Sequence, residues 1–505
     1  VNLNKLTKRE EIDPKVGTGL PGSTPSTGKP CTWGSGQRIV RSCSETRPLF
    51  NEGKTNSYSE RRFEVMTTGL QRLAEKAKSN PKMSFSSLLH HFTPELLRTS
   101  LAKQARRTST GVDGMERDEA LKKFDDWQSD VITSAHRKAY HAPPVRRVWI
   151  PKPGKEEKRP IGVPTVIDRA VQRSVAGIME KIYEQDFLPN SFGGRPGRSA
   201  HHAVITLKEV ISKERVNWIL ECDLKNFFGS LDHGWVERFV EHRIGDPRVL
   251  SLIRKWLKAG VMESGEFSRS EMGTPQGGSI SVLLSNIYLH YALDLWFEKV
   301  MKKSLRGKAF LVRYLDDFVI CFEFERDAQN VHEALKSRLG KFGLSLEPDK
   351  TKLLQFGRLA LYRSEQGARK PETFSFLGFT FCCGRSLKGK FLVRMLTDRK
   401  RLHRTLNKMT AFLDTIRHQA VPEQVRQINQ VLRGHYLYYG VGGNGHSLRK
   451  VHRHVKLRWR QALSSRSQRG ALPWPRYEKL LKLFPLAETK LHLPYADQPR
   501  FVVSL

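Results

Sequence analysis

The stretch FLVRYLDDFVICF, residues 310–322, decides the fold of this chain. Apolar and β-branched residues on both sides of Tyr314-Leu315-Asp316-Asp317 predict two short strands that are joined by a tight turn. The strands are apolar enough to be buried, whereas the turn carries two adjacent carboxylates. The pattern therefore predicts a β-hairpin with an Asp-Asp pair at its tip.

A further carboxylate belongs to ILECD, residues 219–223, a short apolar run that predicts a buried strand ending in Asp223. Helical patterns separate this strand from the hairpin, and another helix is predicted near residues 328–342. The order strand, helices, hairpin, helix, strand indicates an α+β fold. Asp residues that converge from separate strands can hold the two divalent ions, about 3.5–4 Å apart, that nucleotidyl transfer requires. For an isolated Asp-Asp turn, a solvated loop is the alternative.

The charge of the chain indicates a polyanionic partner. Its 505 residues include 87 Lys and Arg against 51 Asp and Glu, a formal net charge of +36. Such a charge on a compact body repels itself unless a polyanion lies against it. Basic residues also alternate with aromatic ones, as in KLRWRQ at 456–461, which suits single-stranded or A-form nucleic acid. Basicity alone does not separate a polymerase from a ribosomal or packaging protein, and a merely soluble basic protein is the other alternative.

Targeting features and cysteine usage predict a reduced intracellular location. No run reaches the roughly 18–20 apolar residues that cross a bilayer, and the first residues are too polar for a secretory signal. The six cysteines form no CxxC pair, which argues against a zinc ribbon or a thioredoxin-like site. We expect a cytoplasmic protein without a membrane partner, associated with the nucleoid when active.

Composition and periodicity divide the chain into three predicted parts. Residues 1–60, rich in Gly, Ser, Thr and Pro, predict a flexible extension. Residues 61–385 begin with helical periodicity, show a helix start at Thr93-Pro94-Glu95, and include a strand-turn-strand pattern at 147–164. Residues 386–505 predict a separate basic helical domain, since their apolar positions recur at helical spacing.

Eight sequence blocks follow one another in the order typical of bacterial group II intron reverse transcriptases. They are RTSTGVDGM (107–115), RPIGVPTVIDRAVQ (159–172), FGGRPGRSAHHAV (192–204), ECDLKNFFGSLDH (221–233), GTPQGGSISVLLSNIYLH (273–290), RYLDDFVI (313–320), GLSLEPDKTKLLQFGR (343–358) and TFSFLGFTF (373–381). LRGHYLYYG (432–440) and LRWRQALSSRSQRG (457–470) are similar to the thumb and maturase region of the same family. The chain thus resembles these enzymes from about residue 100 to residue 485.

The resemblance implies a right-hand polymerase of fingers and palm, followed by an α-helical thumb and maturase domain. The implied activity is RNA-directed DNA synthesis, which extends a DNA primer or target with dNTPs along an RNA template such as a group II intron RNA. Intron RNA binding, splicing and retrohoming are implied as well. The implied cofactor is a pair of Mg²⁺ ions, with Mn²⁺ as the alternative ion. The oligomeric state stays open, with a dimer among the alternatives.

The family motifs also assign roles to individual residues. The metal ligands that they imply are Asp223, Asp316, Asp317 and the backbone carbonyl of Leu224. The residues implied to bind the incoming nucleotide are Lys152 and Arg159 on the two fingers strands, Phe228 as the steric gate against a 2′-hydroxyl, Gln276 beside the nascent base pair, and Lys350 as the acid that protonates pyrophosphate. Lys352 competes with Lys350 for the last role, and a core position is the alternative for Phe228.

Three positions depart from the family pattern. Leu315 replaces a small residue beside the Asp pair, Val282 replaces a frequent proline, and Gly229 replaces a frequent aspartate. The paired CxxC motifs of the family's HNH endonuclease region are also missing, which predicts that the chain does not cut a target strand itself. These departures leave two alternatives: a domesticated host enzyme for DNA repair or antiviral defence, and a splicing cofactor with an inactive palm. The intact aspartates argue against the second alternative.

Overall fold

The computed structural model describes residues 57–151, 156–263, 266–268, 272–273, 278–466 and 470–505, with side chains from Thr68 onward. Its helices are α1 Ser57–Ser79, α2 Pro94–Ala102, α3 Arg117–Lys122, α4 Phe124–His136, α5 Val166–Asp186, α6 Ala200–Lys213, α7 His233–Glu241, α8 Pro247–Leu257, α9 Ser281–Leu289, α10 Lys302–Ser304, α11 Glu325–Gly340, α12 Arg358–Glu365, α13 Arg399–Ile416, α14 Val421–Tyr439, α15 Gly445–Ser464 and α16 Trp474–Leu483. Its strands are β1 Val145–Pro151, β2 Lys158–Val163, β3 Trp218–Asp223, β4 Val261–Glu263, β5 Glu266–Ser268, β6 Ala309–Tyr314, β7 Asp317–Phe322, β8 Lys352–Gln355, β9 Phe374–Phe376, β10 Phe379–Arg385 and β11 Phe391–Thr397. The flexible extension predicted for residues 1–60 lies almost wholly outside the described residues.

The central sheet has the strand order β6-β7-β3-β8, and all three of its pairings are antiparallel. Successive side chains of a strand point to opposite faces. Accordingly, Leu220 of β3 and Ile320 of β7 belong to one hydrophobic core, whereas Ile219 and Val319 belong to another. Both faces of the sheet are therefore covered, and only its ends are available for a site.

The N-terminal helices, α5 and α7–α9 pack around the first core, to which Leu97, Val171 and Leu284 contribute, whereas α6 packs on the second core. Helix α2 starts as predicted, because Thr93 accepts a hydrogen bond from the Leu96 amide and Pro94 occupies the first turn. Strands β1 and β2 form the predicted hairpin, and they belong to a second sheet with the order β2-β1-β4-β5. The α+β class predicted from the sequence is confirmed.

The C-terminal region is helical, but its helices begin later than expected. Residues 391–397 form β11, which pairs with β10 from Arg385↔Phe391 to Phe379↔Thr397. The alternation in this strand puts Val393 and Met395 into the second core. Helices α13–α16 then enclose a third core around Trp459, Ile428 and Tyr477. Among the described residues, no helix is long and apolar enough to span a membrane.

Candidate active site

The structure brings the three predicted aspartates to one end of the central sheet. Asp223 is the last residue of β3, and it lies directly across from Asp317, the first residue of β7. Tyr314 pairs with Asp317 on the other side, so that Leu315 and Asp316 form the two-residue turn of the β6–β7 hairpin. Since side chains alternate along a strand, Asp223 and Asp317 share one face of the sheet.

Burial and neighbouring carboxylates raise the pKa values of Asp316 and Asp317. Burial, followed by the charges of Asp223, Asp316 and Glu221, raises the pKa of Asp317 to about 8, although Arg401 acts in the opposite direction. The pKa of Asp316 is raised for the same reasons, burial first and then the charge of Asp223. Such an excess of negative charge at a partly buried position is typical of a functional site that receives a cation.

Glu221 is a fourth carboxylate at this site, which the sequence analysis did not select. It lies two residues before Asp223 and therefore on the same face of β3, opposite Val319 and Lys352. Burial is the main reason why the pKa of Glu221 is raised to about 7, and the charge of Asp223 adds to it. The alternation in ILECD could have identified Glu221, because residues that are two positions apart in a strand lie on the same face of the sheet.

Lys350 lies where the sequence predicted a cation. Its ammonium donates a hydrogen bond to Oδ2 of Asp223. Burial opposes the charge of Lys350, but the hydrogen bond and the charge of Asp223 outweigh burial and raise its pKa. Lys352, the competing residue, is paired with Glu221 across the sheet. Within the described part of the chain, no three His, Cys, Asp or Glu side chains already surround one point as a metal-binding set.

The turn beside the aspartates has an unusual backbone. Leu315 adopts a φ of 56°, a left-handed conformation that a leucine rarely takes. Two-residue hairpin loops require such positive φ values because the backbone twist of the turn must match that of the strands. A Cβ atom at Gly193 would lie 2.7 Å from the Leu315 nitrogen and 2.8 Å from its Cγ, so only glycine allows this close approach.

Two of the positions that depart from the family pattern meet at this turn. A Cβ atom at Gly194 would overlap Cγ1 of Val282 and would lie 3.5 Å from Cδ2 of Leu315. Leu315 and Val282 thus both pack on Gly194. The third departure, Gly229, lies apart from them in the short 3₁₀ turn Phe227–Gly229.

Leu224 and Phe228 follow Asp223 at the same end of the sheet. The side chain of Leu224 is buried in the first core, and its backbone forms an isolated bridge with Leu346. Phe227 is 2% exposed, whereas Phe228 is only partly buried against the same core. The two neighbouring rings therefore differ, with Phe227 inside the core and Phe228 at its edge.

Arg159 of β2 contributes to a cationic cavity between the β1–β2 hairpin and helix α13. The cavity has a volume of about 630 Å³ and is lined by Ile150, Pro151, Arg159, Arg401, Arg404, Thr405, Lys408 and Tyr439. The α13 residues among them recur at three- and four-residue spacing, so they share one face of the helix. None of the four cations forms an ion pair with a described residue. The charge of Arg159 partly offsets the raised pKa of Asp316, and the charge of Arg401 partly offsets that of Asp317. These two lining residues of the cavity therefore lie near the carboxylates.

Two predicted site residues cannot be compared with this geometry. Lys152 and Gln276 lie outside the described residues, and their roles stay predictions. Conversely, the cations of α13 escaped the sequence analysis, since in a basic helical region nothing local distinguishes Arg401 from its neighbours.

The chain is similar to several known proteins. The family model described as reverse transcriptase (RNA-dependent DNA polymerase) matches residues 150–381, which contain all three aspartates. Protein YkfC of Escherichia coli (strain K12) is 31% identical over 387 residues, which cover 69% of this chain and 96% of that protein. The group II intron-encoded protein LtrA of Lactococcus lactis subsp. cremoris is 33% identical over 222 residues, 44% of this chain and 37% of that protein.

A third relative is the nuclear intron maturase 2, mitochondrial, of Arabidopsis thaliana, which is 33% identical over 99 residues, 19% of this chain and 13% of that protein. The match to YkfC extends over nearly that whole protein, and the intron-associated names recur among the relatives. The chain therefore belongs to the reverse transcriptases and maturases of the group II intron type, whose common activity is RNA-directed DNA synthesis.

Proposed function

We propose that this chain extends a DNA primer with dNTPs along an RNA template, at a site formed by Asp223, Asp316 and Asp317. The observation that carries the proposal is the convergence of these aspartates at one end of the central sheet. The raised pKa values of Asp316 and Asp317 support it, because a bound cation would stabilise their charged forms.

The donors at this site fit Mg²⁺, which prefers oxygen ligands and accepts a small number of carboxylates. Asp223, Asp316, Asp317 and the Leu224 carbonyl would hold two ions, with Mn²⁺ as a substitute. When bound, such ions activate a 3′-hydroxyl and stabilise the charge of the leaving pyrophosphate. Lys350 balances part of the charge of Asp223 in the absence of metal, and it has to leave Oδ2 for an ion to bind there.

Other residues of the chain would bind and select the nucleotide. Arg159, together with Lys152, would hold the triphosphate, and Gln276 would lie beside the nascent base pair. Lys350 remains protonated near Asp223 and could therefore supply the proton that the leaving pyrophosphate takes up. The partly buried ring of Phe228 would exclude a ribose 2′-hydroxyl.

The cationic cavity supports binding of nucleic-acid phosphates next to the carboxylates. Arg401, Arg404 and Lys408 present three positive charges along two turns of α13, opposite Arg159. Because none of these cations forms an ion pair with a described carboxylate, a phosphate backbone in this cleft would release counterions and gain affinity. We assign the primer-template duplex to this cleft.

The helical region from α13 to α16 would serve as the thumb and the maturase domain, within the proposed division into 61–385 and 386–505. Its core around Trp459 leaves a strongly basic surface for intron RNA. The intron and maturase names of the relatives favour a role in intron splicing over host repair or defence, and we include retrohoming in the proposal.

Primer extension on an RNA template with Mg²⁺ tests the proposal. We expect the wild type to make cDNA and Asp316→Ala to lose about a thousandfold or more in rate, since metal ions contribute several kcal/mol to such transition states. Asp130→Ala, at an exposed position of α4, is the matched control and should keep wild-type activity. Absence of cDNA from a folded wild type would refute the polymerase assignment.

A further inference from the structure

Arg313 is a fully buried cation that none of the proposed roles uses. It precedes Tyr314 in β6 and pairs across the hairpin with Phe318. By alternation, its side chain lies on the face of the first core, opposite the face of Asp317 and Asp223. Arg313 therefore approaches the Asp-Asp turn from behind, and its charge does not compete with a metal ion for the carboxylates.

Every donor of the Arg313 guanidinium has a partner. Nε and Nη2 donate to the two carboxylate oxygens of Asp294, at 2.8 and 2.5 Å, and both side chains of this ion pair are 0% exposed. The remaining donors reach Asn286 Oδ1 at 3.1 Å, the Leu315 carbonyl at 3.2 Å and Ser191 Oγ at 2.9 Å. These five hydrogen bonds use all five N–H groups that an arginine side chain possesses.

The bond to Leu315 connects this network with the catalytic turn. Leu315 has the left-handed backbone conformation, which costs a leucine free energy and persists only where its surroundings enforce it. The guanidinium fixes the carbonyl of Leu315, and Gly193 packs against the nitrogen of the same residue. The two peptide groups that flank the Cα atom of Leu315 are thereby held.

The elements around the turn are held by the same network. The backbone of Arg313 donates to the Asn190 carbonyl at 2.8 Å and accepts from the Phe192 amide at 2.9 Å. Asn286 of α9 accepts from Arg313 and donates to the Gly193 carbonyl at 2.8 Å. Asp294 lies in the π-helical segment His290–Asp294 that continues α9, and such segments are frequent at functional sites. Helix α9 and the loop that contains Gly193 are thus fixed to the turn through the guanidinium of Arg313.

We propose that Arg313 is a positioning residue for catalysis: its buried ion pair with Asp294 holds the Leu315-Asp316 turn in the conformation that places Asp316 and Asp317 beside Asp223. This inference rests on the proposed polymerase site. A lysine at position 313 keeps the charge, but its ammonium is a point donor without the planar fork that reaches Asp294 and Leu315 together.

The test compares the double variant Arg313→Met/Asp294→Leu and the single variant Arg313→Lys with the wild type. The double variant removes both charges, which buried cores often tolerate when the volume is kept. We expect kcat to fall by about tenfold to a hundredfold, with KM for dNTP nearly unchanged, because the groups that bind nucleotide remain. We also expect Mn²⁺ affinity, measured by electron paramagnetic resonance without nucleic acid, to fall by about tenfold. Arg313→Lys should show smaller changes in the same direction.

The matched control is Arg243→Met/Asp186→Leu. The side chain of Arg243 is 3% exposed and pairs at 2.8 Å with that of Asp186, which is 13% exposed. The other donors of Arg243 reach the carbonyls of residues 77, 80 and 83, away from the turn. We expect it to lower the thermal stability to a similar extent and to leave kcat and Mn²⁺ affinity at wild-type values. Equal losses in both double variants would overturn the inference, because the role of Arg313 would then be structural only.

The outcomes separate this inference from the proposed function. If the wild type makes no cDNA, the polymerase assignment fails, whatever the variants do. If the wild type is active and Arg313→Lys, folded by circular dichroism, matches it in kcat and Mn²⁺ affinity, the positioning role of Arg313 is wrong while the polymerase site stands. Should the double variant not fold, the lysine variant alone decides.

Discussion

On one face of the β6–β7 hairpin, carboxylates gather with too few cations to balance them, whereas on the other face one carboxylate meets a guanidinium that uses every donor. Asp317, Asp223 and Glu221 share the first face, and the pKa values of Asp317 and Glu221 are raised to about 8 and about 7. Asp294 and Arg313 form the second, fully buried arrangement. The aspartates on the two faces of the hairpin thus have opposite effects on the stability of the fold.

The difference shows that this fold places the reactive carboxylates on one face of the hairpin and the residues that support the turn on the other. The carboxylate face is destabilised as long as no cation is bound, and this unbalanced charge is what makes it receptive to metal and phosphate chemistry. On the arginine face, every donor of the Arg313 guanidinium has a hydrogen-bond partner. These hydrogen bonds keep the hairpin turn in an otherwise unfavourable backbone conformation. The same substitution should therefore change stability in different ways on the two faces.

The largest effect should come from Asp294→Asn, which keeps the shape of the side chain but removes its charge. The guanidinium of Arg313 would remain buried without a counter-charge, and we expect the free energy of unfolding to fall by about 3–5 kcal/mol. Chemical denaturation with urea, followed by circular dichroism, measures this loss.

Asp223→Asn is the matched substitution on the carboxylate face. It removes one of several repelling charges and a contact with the partly exposed Lys350, so the free energy of unfolding should change by less than about 1 kcal/mol. The contrast between the two faces would be wrong if both variants lost the same stability.

A loss of stability of similar size should separate Phe227 from Phe228, which repeat the contrast between a core residue and a site residue. Phe227→Ala should lower the free energy of unfolding by about 3–5 kcal/mol, because its ring is 2% exposed. Phe228→Ala should cost less stability and instead raise the incorporation of ribonucleotides relative to dNTPs by about tenfold to a hundredfold. Primer extension with matched nucleotide pairs measures this ratio, and unchanged sugar selectivity in a folded Phe228→Ala would remove the steric gate.

The sequence was sufficient wherever local patterns decide the structure. The hairpin around Leu315, the strand ending at Asp223 and the helix cap at Thr93 all follow from alternation, turn length and capping chemistry. The family blocks added the identity of the three aspartates, whose convergence is a property of strand order that no local pattern contains.

Contacts between distant segments could not be predicted in this way. The pairing of Arg313 with Asp294 depends on where a π-helical segment places its last residue, and nothing in the sequence around Asp294 marks that segment. Strand β11 was expected within a helical domain, because Arg394 and nearby lysines resemble the basic helices that follow. This segment forms a strand because it pairs with β10 and because Val393 packs in the second core.

The most direct measure of the unbalanced face is the pH dependence of the stability of Asp317→Asn in metal-free buffer. The pKa of Asp317 is about 8 in the folded chain and about 4 in an unfolded one, so the folded state binds the extra proton between these values. Wild-type stability from this group is complete below about pH 4 and is lost as the pH rises toward 8. Because asparagine does not titrate, the Tm of the variant should exceed that of the wild type by several degrees at pH 8 and match it near pH 4. Saturating Mg²⁺ should reduce the difference at pH 8, since ion binding stabilises only the charged carboxylate.

Asp130→Asn, at an exposed helix position, should show no such trend. A variant that is less stable than the wild type at pH 8 without metal would mean that Asp317 is already balanced in the free protein.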